Sequence, residues 1–225
     1  MKVIVTGATG NAGGGIVKAC LADDRITKVL ILTRRNVASD IESHPKIQVV
    51  MHRDFSAYPD ELIQHLEGAE ACIWAIGGRV EQFGGDMDMA RRVGVEYTCA
   101  GAKAMRDKLA PRVPEGKRFR FVFCSGDMAE WDQGKRLLFL ENTRKIKGSV
   151  EKALCELADE DKAANFEVWI GRPSYIIPAN ASAVTRLFSP FVKGITTEQL
   201  GRALVRMAVE GAGERIVPTG TLQKM

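Results

Sequence analysis

The chain has 225 residues and a mass of 24.7 kDa, a length that suits one domain or a tight pair, with one core the simpler reading. Hydrophobic residues make up 45% and charged residues 27%, which excludes a disordered or fibrous chain. The formal net charge of +4 comes from scattered basic residues and gives no argument for a nucleic-acid partner.

From the amino terminus, Val3 to Val5 is a β-branched run ending at a glycine cluster, after which Ile16, Val17, Cys20 and Leu21 recur at helical spacing. Strand, loop and helix are predicted there. Compact apolar runs follow at Val29 to Leu32, Ile47 to Met51, Ala71 to Ile76, Phe119 to Cys124 and Val168 to Ile170, and they read as strands apolar on both faces. Between them the pattern predicts helices over Asp60 to Glu67, Asp86 to Leu109, roughly Lys135 to Lys162, and Thr197 to Glu210. This alternation predicts an α/β fold, a parallel sheet with helices on both faces. Pro111 to Gly116 reads as a loop ending a helix, and no linker or repeat divides the chain. One domain over 1–225 is expected, its part from about 172 onward contributing to the substrate side.

The longest apolar run, Ala71 to Ile76, falls far short of the roughly 18 residues that a membrane span needs, and no membrane partner is expected. The opening Met1-Lys2-Val3-Ile4-Val5 reads as a strand rather than a secretory leader. Cys20, Cys72, Cys99, Cys124 and Cys155 are odd in number and lack C-x-x-C spacing, which argues against disulfides or a metal site and for a cytoplasmic protein. His44, His52 and His65 have no metal spacing, and the sequon Asn180-Ala181-Ser182 reads as a chance match.

The strongest motif is Gly7-Ala8-Thr9-Gly10-Asn11-Ala12-Gly13, between the first strand and first helix. Glycines there let backbone N–H groups approach a pyrophosphate at a helix N-terminus, and Gly13, Gly14 and Gly15 are expected to let the helix sit tight on the sheet. About twenty residues on, where an NAD-selective site places an acid, the chain reads Thr33-Arg34-Arg35. Arg34 can pair with a 2′-phosphate and stack on adenine, which favours NADP(H) over NAD(H). The alternative is a solvated strand end. Asp54 and Phe55 follow the third strand and are placed to contact the adenine edge, although Asp54 reads equally well as a turn residue. The glycine-bearing loop Gly77 to Gly85 follows the fourth strand, where open α/β sheets bind ligands.

Those motifs, with Ile73-Trp74-Ala75-Ile76-Gly77-Gly78, Phe123-Cys124-Ser125-Gly126, Lys145-Ile146-Lys147-Gly148-Ser149-Val150-Glu151 and Gly171-Arg172-Pro173-Ser174-Tyr175, resemble the short-chain dehydrogenase/reductase superfamily. The resemblance is to its atypical NmrA-like branch, the Tat-interacting-protein oxidoreductase-like proteins, covers nearly the whole chain, and implies a Rossmann-type doubly wound parallel sheet. It implies a bound nicotinamide dinucleotide contacted by Gly7, Thr9, Gly10, Asn11, Ala12, Gly13, Arg34, Arg35, Asp54, Phe55, Ala75, Ile76, Gly77, Lys147, Pro173 and Ser174.

The resemblance also implies a Ser after the fifth strand and a Tyr-x-x-x-Lys on the next helix. Ser125 and Lys147 carry two of those roles across, but Thr143 stands at the tyrosine position. A threonine hydroxyl lacks the acidity of a phenol, whose pKa is about 10. Tyr175 and Tyr97 are the replacements considered; Tyr97 reads as core, and Tyr175 adjoins the implied nicotinamide end. Thr143, Lys147 and Glu151 share one helix face beside the apolar stripe Ile146, Val150, Leu154 and Leu157. Asp127, Glu130 and Trp131 line a substrate pocket or belong to a solvated loop.

Three functions fit. The first is an NADP(H)-dependent oxidoreductase on a small carbonyl or enone, with Ser125, Lys147, Thr143 and Tyr175 as its candidate catalytic residues and a non-standard proton donor. The others are a dinucleotide-sensing regulator and a non-redox isomerase or dehydratase on the same scaffold. The loops Gly77 to Gly85, Asp127 to Gly134 and Ile176 to Pro190 that would shape a pocket carry no chemical code for the substrate. A homodimer is compatible with the long helices.

Overall fold

In the computed structural model, which describes residues 1–178, 181 and 194–225, the apolar runs become the strands of one sheet. The strands are β1 (Lys2–Thr6), β2 (Lys28–Thr33), β3 (Ile47–Met51), β4 (Ala71–Trp74), β5 (Phe119–Cys124), β6 (Phe166–Arg172) and β9 (Ile216–Pro218). They lie in the order β3-β2-β1-β4-β5-β6-β9, every pair parallel. The order reverses between β1 and β4, and ligands of open α/β sheets bind at that switch, outside the strands' carboxyl ends. The short pair β7 (Ile176–Ile177) and β8 (Ile195–Thr196) stands apart from this sheet.

The continuous apolar character of the strands has a direct cause, because successive side chains point to opposite faces and both faces are covered. Ile4, Leu30, Cys72, Trp74, Phe119 and Phe121 enter one core. Their neighbours Val3, Val5, Val29, Ile31, Ile73 and Val122 enter the other. The second face is covered by α1 (Asn11–Ala22) and α7 (Thr197–Glu210), the latter started by a capping box of Thr196 and Gln199. The first face is covered by α5 (Tyr97–Lys108) and α6 (Glu141–Asp159). The other α-helices described are short: α2 (Ser39–Glu42), α3 (Asp60–Leu66), α4 (Met87–Arg91) and α8 (Thr219–Leu222). No helix among the described residues is long and apolar enough to cross a membrane.

Three expectations need correction, and one strand went unread. The predicted helix Asp86 to Leu109 is broken by a π-helical turn, Arg92–Glu96, between α4 and α5. There Gly94 presses against Ile146, so closely that a Cβ on Gly94 would lie only 2.9 Å from the Ile146 Cγ2. The Thr98 hydroxyl also donates to the Gly94 carbonyl at 2.7 Å, a back-bond that bends helices. The helix predicted from Lys135 starts instead at Glu141, because Lys135 to Leu140 forms an irregular, apolar-tipped loop. The glycines of α1 serve close approach to loop and helix rather than to the sheet. A Cβ at Gly13 would lie 2.0 Å from the Gly7 carbonyl oxygen, and one at Gly15 would lie 2.3 Å from that of Thr197. Strand β9, finally, is too short, at three residues, to announce itself by pattern. The sequon and the loop from residue 179 to Pro190, apart from Ala181, lie outside the described residues.

Candidate dinucleotide groove and adjoining polar cluster

At the switch point a groove of about 200 Å³ opens, lined by the glycine loop, the ends of β2 and β4, and the π turn. It brings together Gly7, Thr9, Gly10, Arg34, Arg35, Phe55, Ala75, Ile76 and Gly77 of the sequence-derived set, and adds Thr33, Phe83, Val93 and Tyr97. Gly7 has φ +70, and a Cβ there would meet the Ala75 carbonyl oxygen at 2.5 Å, so only glycine lets β1 and β4 close at this point.

The floor of the groove ends at the N-terminus of α1. Its N-cap, Gly10, offers no side-chain acceptor and its first turn holds no acid. The N–H groups of Asn11, Ala12 and Gly13 have no intrahelical partners there, as in the first turn of any helix. An uncapped helix terminus with its positive dipole end is a fit for a pyrophosphate. Arg34 and Arg35 are exposed at the rim, where the Thr33 hydroxyl fixes the turn by donating to the Arg35 carbonyl at 2.9 Å and accepting the Arg35 N–H at 3.1 Å. The residues present therefore fit a nicotinamide dinucleotide.

Phe55 is 3% exposed and packs edge-on against Trp74 and beside Tyr97, so it forms a wall rather than a free aromatic face. Asp54 is exposed, and its Oδ1 accepts from the Ser56 N–H at 3.0 Å and hydroxyl at 2.5 Å. That is a turn role, and it holds the carboxyl below its usual range. Tyr97 packs against the first core but is only half-buried, and it also faces the groove and carries the Arg92 guanidinium 5.9 Å from its ring centroid.

Ser125, Thr143 and Lys147 do not line this groove. They belong to an adjoining cluster built on the end of β5 and on α6. The Ser125 hydroxyl donates to Glu151 Oε1 at 2.5 Å, and the Lys147 ammonium donates to the Ser125 carbonyl at 2.9 Å. Glu151 is fully buried. Its carboxylate also accepts from Trp131 Nε1 at 2.8 Å, from Arg172 Nε at 2.9 Å and from Arg172 Nη2. Burial draws the Lys147 amine below the ordinary lysine range, with the nearby Cys124 and Glu151 pulling the other way.

Thr143 is buried, and its Oγ1 accepts the Val80 N–H at 3.0 Å, pinning the loop after β4 to α6. Tyr175 is 50% exposed, and the Pro173 carbonyl accepts the Asp127 N–H at 2.9 Å. Ser174 follows at the end of β6. The residue missed by sequence reasoning is Glu151, placed on the right helix face but given no role. Its signal was a carboxylate one turn beyond Lys147, flanking an apolar stripe, since such a group inside a protein requires partners.

No family model matches the chain. Leucinostatins biosynthesis cluster protein T of Purpureocillium lilacinum is 38% identical over 77 residues, which is 34% of this chain and 28% of that protein. Among solved structures, yeast methylglyoxal/isovaleraldehyde reductase Gre2 with NADPH superposes with a TM-score of 0.73 at 17% identity. The superposition covers 97% of this chain and 78% of Gre2. A short chain dehydrogenase/reductase family oxidoreductase from Burkholderia thailandensis gives 0.72 at 16% identity, over 100% and 93%. The NAD complex of dTDP-glucose 4,6-dehydratase from Bacillus anthracis gives 0.67 at 12% identity, over 96% and 74%.

The chain has a Rossmann fold. It shares this fold with enzymes whose structures hold NADPH or NAD, and identities this low carry the fold alone.

Proposed function

We propose that the protein binds NADP(H) in the groove and acts as an oxidoreductase on a carbonyl or enone, in the manner of a short-chain dehydrogenase/reductase. The observation that carries this reading is the uncapped N-terminus of α1 at the end of a groove whose rim holds Arg34 and Arg35. A guanidinium beside the second strand suits a 2′-phosphate, where a carboxylate would reject it. Bound there, NADPH supplies a hydride for a carbonyl carbon.

The proton for the oxygen needs a donor. Ser125 spends its proton on Glu151, and Thr143, whose Oγ1 accepts the Val80 N–H, has an aliphatic hydroxyl too weakly acidic to serve. Lys147, whose ammonium lies 2.9 Å from the Ser125 carbonyl and whose acidity burial raises, is the donor in this reading. The same engagement of Ser125 and Thr143 favours a second reading, an NADP(H) sensor without turnover.

Calorimetric titration of nucleotide-free protein with NADPH, NADP⁺ and NADH, repeated on Arg34→Ala, tests the cofactor. The expected result is a preference for NADPH of about tenfold or more, erased by the substitution, as loss of a charge-assisted contact implies. Absence of binding by all three would overturn both readings. NADPH consumption across a carbonyl and enone panel then separates them, the sensor reading requiring none and differing affinities for the two redox states.

A further inference from the structure

The loop that replaces the first predicted turns of α6 leaves apolar side chains in water beside the polar cluster. Leu138 is fully exposed at 102%, Phe139 is 53% exposed and Leu140 39%, and Met128 and Trp131 from the loop after β5 are 46% and 39% exposed. Exposed apolar side chains gathered on two loops in this way point to a binding surface more than ones scattered singly. Leu140 also holds a left-handed backbone at φ 49, a conformation that leucine rarely adopts.

We infer that this lip receives the apolar chain of the substrate, so that the proposed oxidoreductase acts on a lipophilic carbonyl or alcohol bearing an alkyl or aryl tail. The inference rests on the function proposed above.

Two features tie the lip to the chemistry. Trp131 belongs to both: its indole N–H reaches the buried Glu151 carboxylate at 2.8 Å, while its ring stays partly open to solvent. A tail lying on that ring has its head beside the Ser125–Glu151 pair. Arg144, in the first turn of α6, fixes the remaining parts. Its Nε donates to the Met128 carbonyl at 2.8 Å and its guanidinium covers the Phe139 ring at 5.3 Å. The Arg144 carbonyl accepts the Glu130 N–H at 3.0 Å. The lip is thus held to the helix that carries Lys147, as a preformed site needs.

Other occupants fit less well. A twofold pairing would have to bury Lys135, Lys145 and their ion-pair partners Glu130 and Glu141 beside the apolar side chains, a desolvation that a substrate tail avoids. Anchoring to an anionic bilayer draws on a cluster of about four to eight basic residues, and here Lys135 and Lys145 are already paired with Glu130 and Glu141, which leaves Arg136 and Arg144.

The test is a binding series of 2-alkanones from butanone to 2-dodecanone, read by tryptophan fluorescence, with NADPH calorimetry run in parallel. Trp74 is buried and Trp169 packs against the second core, whereas Trp131 lies on the lip, so a change in emission reports on the patch. Affinity is expected to rise about threefold to fourfold per methylene through the middle of the series. The exposed double substitution Leu138→Ser with Phe139→Ser should flatten that rise and leave NADPH affinity unchanged. A flat or absent series in the unsubstituted protein overturns the inference, as does a steep series that the double substitution leaves intact. Vesicle binding, or concentration-dependent dimerisation, abolished by the same substitutions would also overturn it in favour of a membrane or a second copy. A steep series without NADPH binding would remove the proposed function and keep the lip.

Discussion

Ser125 and Glu151, 26 residues apart in sequence, meet at 2.5 Å between the hydroxyl and a fully buried carboxylate. The contact makes Glu151 the point at which β5, β6, α6 and the 126–131 loop are tied together, through Ser125, Arg172 and Trp131. Removing one partner of a buried charge pair costs about 3–5 kcal/mol, because the other charge is left uncompensated. Glu151→Gln keeps the shape and removes the charge, stranding the Arg172 guanidinium. Thermal unfolding should show a fall of roughly 6–20 °C in a domain of this size, and a melting curve unchanged from the parent would show that the carboxylate carries no net stabilisation.

Thr143 stands where the family resemblance places a tyrosine, which invites the substitution Thr143→Tyr as a repair. The side chain is buried and its oxygen serves the Val80 N–H, so a phenol there would be overpacked and would displace that bond. Overpacking costs about 1–3 kcal/mol. NADPH turnover should not rise in Thr143→Tyr, and its melting temperature should drop. Thr143→Val, which leaves the amide buried and unpaired, should cost a similar 1–3 kcal/mol or so by urea denaturation. A gain of activity in the tyrosine variant would mean that the loop after β4 yields to make room.

The reach of the sequence differs between fold and site for physical reasons. The parallel sheet was legible because both its faces are buried, so strands such as Lys28–Thr33 read as unbroken apolar runs, and the α7 boundaries were legible because a capping box starts that helix. The groove was legible through the glycines, whose spacing answers a local backbone demand. The polar cluster was not, since Ser125, Trp131, Glu151 and Arg172 meet only by tertiary contact, and no local period encodes which hydroxyl a buried carboxylate will take. The π turn before Tyr97 was hidden in part for the same reason, lying where Gly94 packs on Ile146 from the distant α6.

Gly15 and Gly201 approach each other across α1 and α7, a Cβ on Gly201 landing 2.4 Å from the Gly15 carbonyl oxygen and one on Gly15 equally close to Thr197. Both obstacles are backbone, so neither can rotate aside. Gly201→Ala should therefore force the helices apart and lower stability by about 1–3 kcal/mol, despite alanine's better helix propensity. Gly13→Ala, aimed at the Gly7 carbonyl, should instead abolish dinucleotide binding by displacing the loop. Denaturant titration and nucleotide calorimetry on the two variants would separate a packing glycine from a binding one.

The lowered proton affinity of Lys147 gives a pH dependence of defined sign. Burial disfavours the ammonium in the folded protein, while the unfolded chain holds its lysine proton up to about 10.4. Between the depressed folded value and that limit the unfolded state binds more protons, so this residue's contribution to stability increases as pH rises through the window. At neutral pH the same burial is a net cost. Lys147→Met retains the aliphatic stem and removes the titration, so its stability relative to the parent should be greatest near neutral pH and should shrink toward a pH of about 10. The comparison cancels alkaline effects common to both proteins, including those of the buried thiol of Cys20, which burial pushes up to about 12. Urea midpoints measured from about pH 7 to that limit on the two proteins supply the difference, and a difference that grows with pH would place the Lys147 ammonium in a site that favours its charge.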